Sequence, residues 1–557
     1  MLLHPSFFFF FVNRHRCFMR LNFGFRLFLV LMMAACFGFA GGCSDDSSPQ
    51  PDAYVQDGMV VDGGVDAEID IDADVDVDGG GTSTASPPAE ILQTGTNGYL
   101  LRGVVLAPDE VIDPGEVLIS GNIITCVAED CTTASGADEA TWIDTKGIIS
   151  PGLIDSHNHI AYNFLPEWIP DPPQTFQNRY QWADDPRYEE HILPYAANRS
   201  SNTHFCPGAK WGALRSLIHA TTTMQGQPSG QGSCINWSIR EVNRYHGLGY
   251  DHMRGTIASP RDLTDSDADN LMDSFTQDEE PTTRYHVHMA EGYEENYILD
   301  EFDSFAGRDP RENRHNGLSL LFGGTSILIH SIPLTEEQLQ EVVDTDSKIV
   351  WSPSSNFALY GYGVTAPIQR ILELGITTGI GPDWTVSGED EMLAELRVCL
   401  DYGRAEGISD LTPRRLWEMS TYEGALVLGV DADIGRLEVG YRADVAVFGR
   451  TGGDQYEALV ESRAPDVRLV FIDGLGWYGD AYLEEVTARN TYCETFDVCG
   501  TEKFICVQDS PTADNRRDET MEDIRTQLYD IMEGIGYPPE EQYGRGDELL
   551  ELVNCDI

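Results

Sequence analysis

The sequence predicts an α/β protein: an eight-fold barrel of alternating strands and helices, (β/α)8, over residues 151–433. A small β-sandwich, built from the flanking stretches 89–150 and 434–479, accompanies it. Three observations predict this. Between 151 and 433, apolar runs such as Tyr285 to Met289, Ser326 to Ile329 and Lys348 to Trp351 alternate with stretches of helical period such as Thr335 to Val343 and Glu389 to Tyr402. Such alternation argues for a parallel sheet. The span, about 280 residues, suits a TIM-like barrel with insertions. The flanks instead alternate Val/Ile/Leu runs with Gly, Asn and Pro-Gly breaks, the texture of hairpins. On pattern alone a doubly wound open sheet is the alternative, weakened because no Gly-rich phosphate loop follows the first strand.

The chain has 557 residues. Its start reads as an address. Arg20 and Arg26 precede an apolar run, Leu27 to Ala35, and small residues lead to Ala40-Gly41-Gly42-Cys43. Residues 1–43 thus have the organisation of a secretory signal, and the run is too short for a stable membrane span. The residues before Cys43 resemble a bacterial lipobox, with Ala40 where Leu is more usual. On that reading Cys43 carries lipid and anchors the protein in the cell envelope, on the periplasmic or outer face of a membrane. If Cys43 is not lipidated, the protein is secreted. Residues 44–88 hold twelve acidic side chains and no Lys or Arg. Such a segment cannot bury enough apolar surface to offset its ordering entropy and is expected to be a tether. Asp74-Val75-Asp76-Val77-Asp78-Gly79 begins like a calcium loop, but Ala85 stands where the loop needs Glu. The net charge of −56, with no basic stripe, excludes a nucleic-acid backbone as partner.

Val117-Leu118-Ile119 followed by Ser120-Gly121-Asn122 is a hairpin signal in the first flank. Ile434 to Phe448 and Val467 to Ile472 have the same texture in the second. Beyond them, 480–557 is an acidic, cysteine-bearing extension. Met521, Ile524, Leu528 and Ile531 recur there at helical spacing. Cysteine usage fits an exported protein. Cys126 and Cys131 can pair, Cys206 and Cys234 bracket one barrel segment, and Cys493, Cys499, Cys506 and Cys555 allow three connectivities. Cys399 lies in an apolar helical pattern, as a buried free thiol would.

The chemistry collects at the ends of apolar runs. Ile148-Ile149-Ser150-Pro151-Gly152-Leu153-Ile154-Asp155-Ser156-His157-Asn158-His159-Ile160 ends in His-x-His. On a strand, His157 and His159 face one way and can share a divalent cation. Later runs end in His286-Val287-His288-Met289-Ala290-Glu291, Ile329-His330 and Gly381-Pro382-Asp383. Spacing alone does not separate His286 from His288. Taken singly, His330 reads as a strand cap and Asp383 as a helix cap.

Pro151-Gly152-Leu153-Ile154-Asp155-x-His157-x-His159 resembles the first-strand motif of the amidohydrolase superfamily. The likeness extends from about Tyr99 to about Tyr478 and is nearest the branch of cytosine deaminase, chlorohydrolases and imidazolonepropionase. The resemblance implies the β-sandwich arrangement, with Ala443-Asp444 matching its usual step. It implies metal ligands His157, His159, His288 and Asp383. It makes Glu291 a proton carrier, His330 a polarising group and Asp383 the acceptor of a proton from the metal's water. Trp351 to Gly361 resembles the family's Pro-x-Ser-Asn-x-x-Leu loop and is expected to shape the pocket. Trp384 stands where the family has a small residue.

The implied activity is hydrolysis of a non-peptide C–N bond, in a deaminase or a cyclic amide or amidine hydrolase. One divalent metal is implied, zinc by ligand type, with iron as the alternative. The carboxylated lysine of two-metal relatives has no well-placed counterpart. Lys210 lies in a helical pattern and Lys348 begins a strand. A binuclear amidase or lactam hydrolase is the second reading, and a retired surface binding protein on the same barrel the third. The partners expected are a small-molecule substrate and, through the lipid, a membrane; self-association into a homo-oligomer stays open. Tyr162, Asn163, Trp168, Tyr180 and Trp182, and the loop Gln225 to Gly230, are candidates either for substrate contact or for plain surface loop.

Overall fold

The computed structural model describes residues 83–555 apart from 171, 199–201, 227–237, 244–246, 249–252, 257–258, 280, 294, 309–316, 390 and 536–548. The expected signal segment with Cys43, the calcium-loop mimic, most of the tether, most of the Gln225 to Gly230 loop and Cys234 lie outside these residues. Among the described residues no helix is long and apolar enough to cross a membrane.

The protein is α/β, with parallel and antiparallel sheets side by side. Eight short strands run through this region: β1 Leu153–Asp155, β2 Thr221–Met224, β3 Arg240–Glu241, β4 Met253–Thr256, β5 Arg284–Met289, β6 Ser326–His330, β7 Lys348–Trp351 and β8 Thr378–Ile380; all but β3 and β4 fall on runs the sequence marks. They pair in parallel in two runs, β1 to β3 and β4 to β8. The last strand meets the first. The Ser156 N–H donates to the Ile380 carbonyl at 2.9 Å, and Asn158 and Asp383 form a parallel bridge. Most of these strands are buried along their whole length, as parallel strands covered on both faces must be. Helices come between them where the helical period predicts. Glu336–Asp344 starts at Thr335, whose hydroxyl accepts from the Gln338 N–H while Gln338 reaches back, a capping box.

The flanks combine into one continuously hydrogen-bonded sheet of ten strands. The reason is the length of Thr141–Pro151, whose eleven residues carry Tyr99–Leu106 on one edge and Val445–Phe448 on the other. The far edge curls back, and the Ile124 N–H donates to the Tyr441 carbonyl at 2.9 Å. The same long strand runs through Gly152 directly into β1. A Cβ at Gly152 would overlap the Thr222 side chain of β2, so only glycine allows the close approach.

The extension continues the outer sheet. Glu494–Val498 and Thr501–Ile505 form a hairpin that adds two strands beside Leu475–Asp480. The helix Met521–Ile535 buries Ile524, Leu528 and Ile531 as the spacing predicts, together with Met532, while Met521 is half-buried. Disulfides join Cys126 to Cys131, Cys493 to Cys506 and Cys499 to Cys555, and Cys399 is a buried free thiol.

Arg240 of β3 ties the two parts together. Its Nε lies 2.7 Å from Asp444 Oδ2 and its Nη2 2.7 Å from Asp473 Oδ1, with Arg240 and Asp444 both buried. Removing one partner of a buried pair strands the other charge, at a cost of about 3–5 kcal/mol. Arg240 keeps Asp473, so Asp444→Ala is expected to cost less than that, about 1.5–3 kcal/mol for the lost charge-assisted bonds, measured as a lowered urea midpoint. An unchanged midpoint would show that Asp473 alone satisfies Arg240.

Candidate active site

His157 is fully buried at the tip following β1. Its Nδ1 lies 2.9 Å from Gln225 Oε1, and the Gln225 amide donates to Asn243 Oδ1 at 2.9 Å. That second bond fixes the carboxamide, so Gln225 presents its oxygen, and the proton on His157 sits on Nδ1. Nε2 is left as a lone pair facing the centre, 3.1 Å from Asp383 Oδ1. His159 brings its Nε2 to 3.2 Å from the same oxygen. Ser355 donates to the other carboxylate oxygen of Asp383 at 2.8 Å and shares a second contact with Ser387 at 2.8 Å.

His288 completes the group. Its ring centroid is 4.8 Å from that of His157 and 5.5 Å from that of His159. One ligand atom from each of His157, His159, His288 and Asp383 lies within 4.8 Å of all the others. His286 is buried elsewhere along β5, outside this group. Burial holds His288 well below its usual range, which keeps its nitrogen a lone-pair donor.

The backbone is strained here. His330 has φ 68°, Ala290 φ 49° and Asp383 φ 74°, all left-handed without being glycine. Each such residue costs on the order of 1–3 kcal/mol and persists where the surroundings over-determine it. Gly381 permits the crossing of strand tips, because a Cβ there would overlap the backbone of His157.

The donor set fits a divalent metal. His157 Nε2 and Asp383 Oδ1 are both buried and make no hydrogen bond, although they are close enough to do so. Buried polar atoms without partners are rare, and three imidazole nitrogens with one carboxylate oxygen form a set that zinc-type ions bind. Gln225 acts one step back, orienting His157. Loss of such an orienting partner typically weakens metal binding by about 10–100-fold. Gln225→Leu is expected to do so, read by chelator competition; unchanged affinity would mean His157 is held by packing alone.

A second constellation adjoins the first. Ligand atoms of His288, Glu291 and His330 also converge. His330 Nδ1 lies 3.0 Å from Asn356 Oδ1, and its Nε2 is 3.7 Å from Glu291 Oε2. Tyr360 donates to Glu291 Oε1 at 2.6 Å. The Pro353 to Leu359 stretch was expected to shape the pocket; its Ser355 and Asn356 instead touch Asp383 and His330 directly. Asp155, below His157, accepts from the His157 N–H and the Asn158 amide, yet burial pushes its carboxyl up to about 8.

The group opens into a cavity of about 440 Å³ lined by Tyr162, Tyr180, Trp182, Tyr188 and Trp384, with Arg179 at one side. Tyr162, Tyr180 and Trp182 are thus cavity residues. Trp168 stacks on Phe176, and Asn163 donates to Asn158, so these two are scaffold. Trp384 tilts against His159 at 5.4 Å and donates to Ser387 at 2.6 Å. Neither lysine considered for a two-metal site is near. Lys210 pairs with Glu519 at 2.7 Å and Lys348 with Asp346 at 3.4 Å.

The model of the Amidohydrolase family matches residues 213–475, a span that includes His288, Glu291, His330 and Asp383 and begins after His157 and His159. The chain is 28% identical over 384 residues to a 5-methylthioadenosine/S-adenosylhomocysteine deaminase of Haloarcula marismortui, covering 65% of this chain and 84% of that one. It is 24% identical over 374 residues to a 5′-deoxyadenosine deaminase of Methanothermobacter thermautotrophicus, covering 62% and 84%. Two crystal structures share the fold. One is an adenosine deaminase from Xanthomonas campestris with bound zinc (TM-score 0.55, 15% identity, 80% of this chain and 100% of that one). The other is a mutant atrazine chlorohydrolase from Arthrobacter aurescens complexed with zinc and atraton (TM-score 0.53, 21% identity, 68% and 95%).

Proposed function

We propose that this metal-dependent hydrolase, which acts on a non-peptide C–N bond of a small molecule, belongs to the amidohydrolase superfamily and deaminates an adenine-type ring carried on a nucleoside. The observation that carries the proposal is the meeting of His157, His159, His288 and Asp383 with Glu291 and His330 at the floor of an aromatic-walled cavity. Flat heteroaromatic rings stack on such walls. The relatives named as adenosine-type deaminases narrow the ring to adenine. We read the eight strands as one (β/α)8 barrel, because β8 bonds to the tip of β1 and the site lies at the strands' C-terminal ends.

His157, His159, His288 and Asp383 would hold one divalent ion, zinc in this reading and iron as the alternative, which would bring the pKa of a water to about 7. The side chains do the rest. Asp383, fixed by Ser355, accepts the proton of the attacking water. The water oxygen bonds to the ring carbon, and charge develops on the adjacent ring nitrogen. Glu291 delivers a proton to that ring nitrogen, and His330, its Nδ1–H held by Asn356, turns Nε2 toward the incoming water oxygen. Asp383 passes its proton to the amino nitrogen, the C–N bond breaks with ammonia leaving, and the hydroxyl proton returns to Glu291 as the carbonyl forms. The placement of Lys210 and Lys348 supports one metal rather than two.

Zinc-loaded full-length protein in detergent should release ammonia from adenosine, 5′-deoxyadenosine, 5-methylthioadenosine or S-adenosylhomocysteine. Ring opening of hydantoins or lactams without ammonia, together with two zinc ions per chain, would replace this reading with the binuclear one.

We also propose that Cys43 carries a lipid and that 44–88 tether the catalytic body at a cell-envelope membrane. The support is the signal-like run before Cys43 and the acidity after it. Cys43→Ser should move the protein from the membrane to the soluble fraction; retention in the membrane would mean another anchor.

A further inference from the structure

The geometry points to Tyr360 as a positioning residue for the Glu291 carboxyl, with Trp182 holding Tyr360 in place. This rests on the proton-transfer role given to Glu291 above.

Glu291 sits where the backbone leaves β5 sharply, between Ala290 at φ 49° and Gly292 at φ 138°. Its main chain is clamped by the segment 177–179. The Arg179 N–H donates to the Glu291 carbonyl at 3.1 Å, the Tyr293 N–H to the Gln177 carbonyl at 2.8 Å, and Asn178 and Gly292 form an antiparallel bridge. A Cβ at Gly292 would overlap Asn178, so the clamp closes tightly. The backbone is therefore fixed, but a glutamate side chain still has rotamers to choose from.

Tyr360 makes the choice. Its hydroxyl donates to Glu291 Oε1 at 2.6 Å and accepts from the Trp182 indole N–H at 2.9 Å. A phenol has one proton. With the indole supplying a donor from one side, that proton goes to Glu291. Burial and the facing carboxylate hold Tyr360 far above its usual range, so it stays a donor through the working pH. Oε1 is thereby engaged, and Oε2, 3.7 Å from His330 Nε2, is the oxygen that carries the transferable proton. Trp182 also lines the cavity and lies in the helix Arg179–Ala183, one turn from the clamp. The same short segment thus fixes the acid by its backbone and, through Tyr360, by its side chain. The alternative is a buried tyrosine that has merely found an acceptor, which would affect stability and nothing else.

The two readings separate in Tyr360→Phe, made in zinc-loaded full-length protein and assayed on whichever adenosine-type nucleoside the wild type deaminates. Loss of one charge-assisted hydrogen bond should lower kcat about tenfold with KM and zinc content unchanged. The loss should vanish in a Glu291→Gln background, where there is no proton left to position. Trp182→Phe should lower kcat by a smaller factor. The infrared carboxyl band of Glu291, isolated as wild type minus Glu291→Gln, should shift in Tyr360→Phe. An unshifted band, or an equal loss of kcat in both backgrounds, overturns the inference. If the wild type deaminates none of the nucleosides, the substrate reading fails by itself and the infrared band alone decides on Tyr360.

Discussion

Asp383→Ala should lower kcat by roughly 10⁴-fold or more and take metal out of the protein. Proton transfer by a placed side chain contributes about 10²–10⁴-fold, and Asp383 combines that task with metal ligation. The structure shows why no neighbour can substitute. The contacts of its Oδ1 are His157 Nε2 and His159 Nε2, both needed as lone-pair donors themselves. Its Oδ2 is engaged by Ser355, whose hydroxyl is neither a strong base nor turned to the centre. Asp383→Asn separates the two tasks. The amide keeps the shape and an oxygen ligand but accepts no proton, so metal content should fall less than turnover. Elemental analysis and ammonia release on the same preparations measure both. Wild-type turnover in Asp383→Ala would refute the site, and ligand binding without turnover in either protein would favour a retired binding barrel.

Glu291→Gln should lower kcat by about 10²–10⁴-fold while leaving the metal in place. Its carbonyl oxygen can still accept from Tyr360, so geometry is kept and only the transferable proton is lost. Glu291 is 3.7 Å from His330 and belongs with it rather than with the His157, His159 and Asp383 group. A loss of metal in Glu291→Gln would mean that Glu291 is itself a ligand. Pre-steady-state kinetics should place the loss in the chemical step rather than in ammonia or product release.

The residues at strand tips were legible in the chain because each follows an apolar run. His157, His159, His330 and Asp383 all stand just past one. Period 2 could not choose between His286 and His288, which share a face. Depth along β5 chooses. His288 lies opposite Ile329, one residue short of the strand end, whereas His286 lies opposite Ile327, deeper in the strand. Gln225 read as a loop residue because its partner, His157, lies 68 positions earlier. Tyr360 read as part of a pocket motif because its link to Glu291 spans 69 positions. Neither separation leaves any local periodicity. The flanks read correctly as strands, but strand texture does not say which edges will join, so the order of the ten-stranded sheet could not be read. The pairing of Cys493 with Cys506 and Cys499 with Cys555 depends likewise on where the final hairpin docks.

The unbroken passage from Thr141–Pro151 through Gly152 into Leu153–Asp155 bears on how the molecule can be taken apart. A fragment cut at residue 151 would begin with a frayed end only six residues before His157, so the catalytic portion cannot be excised as a portable module. Swapping in the flanks of another protein would tug on the same ligand. Melting of the outer sheet and escape of the metal should accordingly be one event, and a chelator should lower the melting temperature of both halves together.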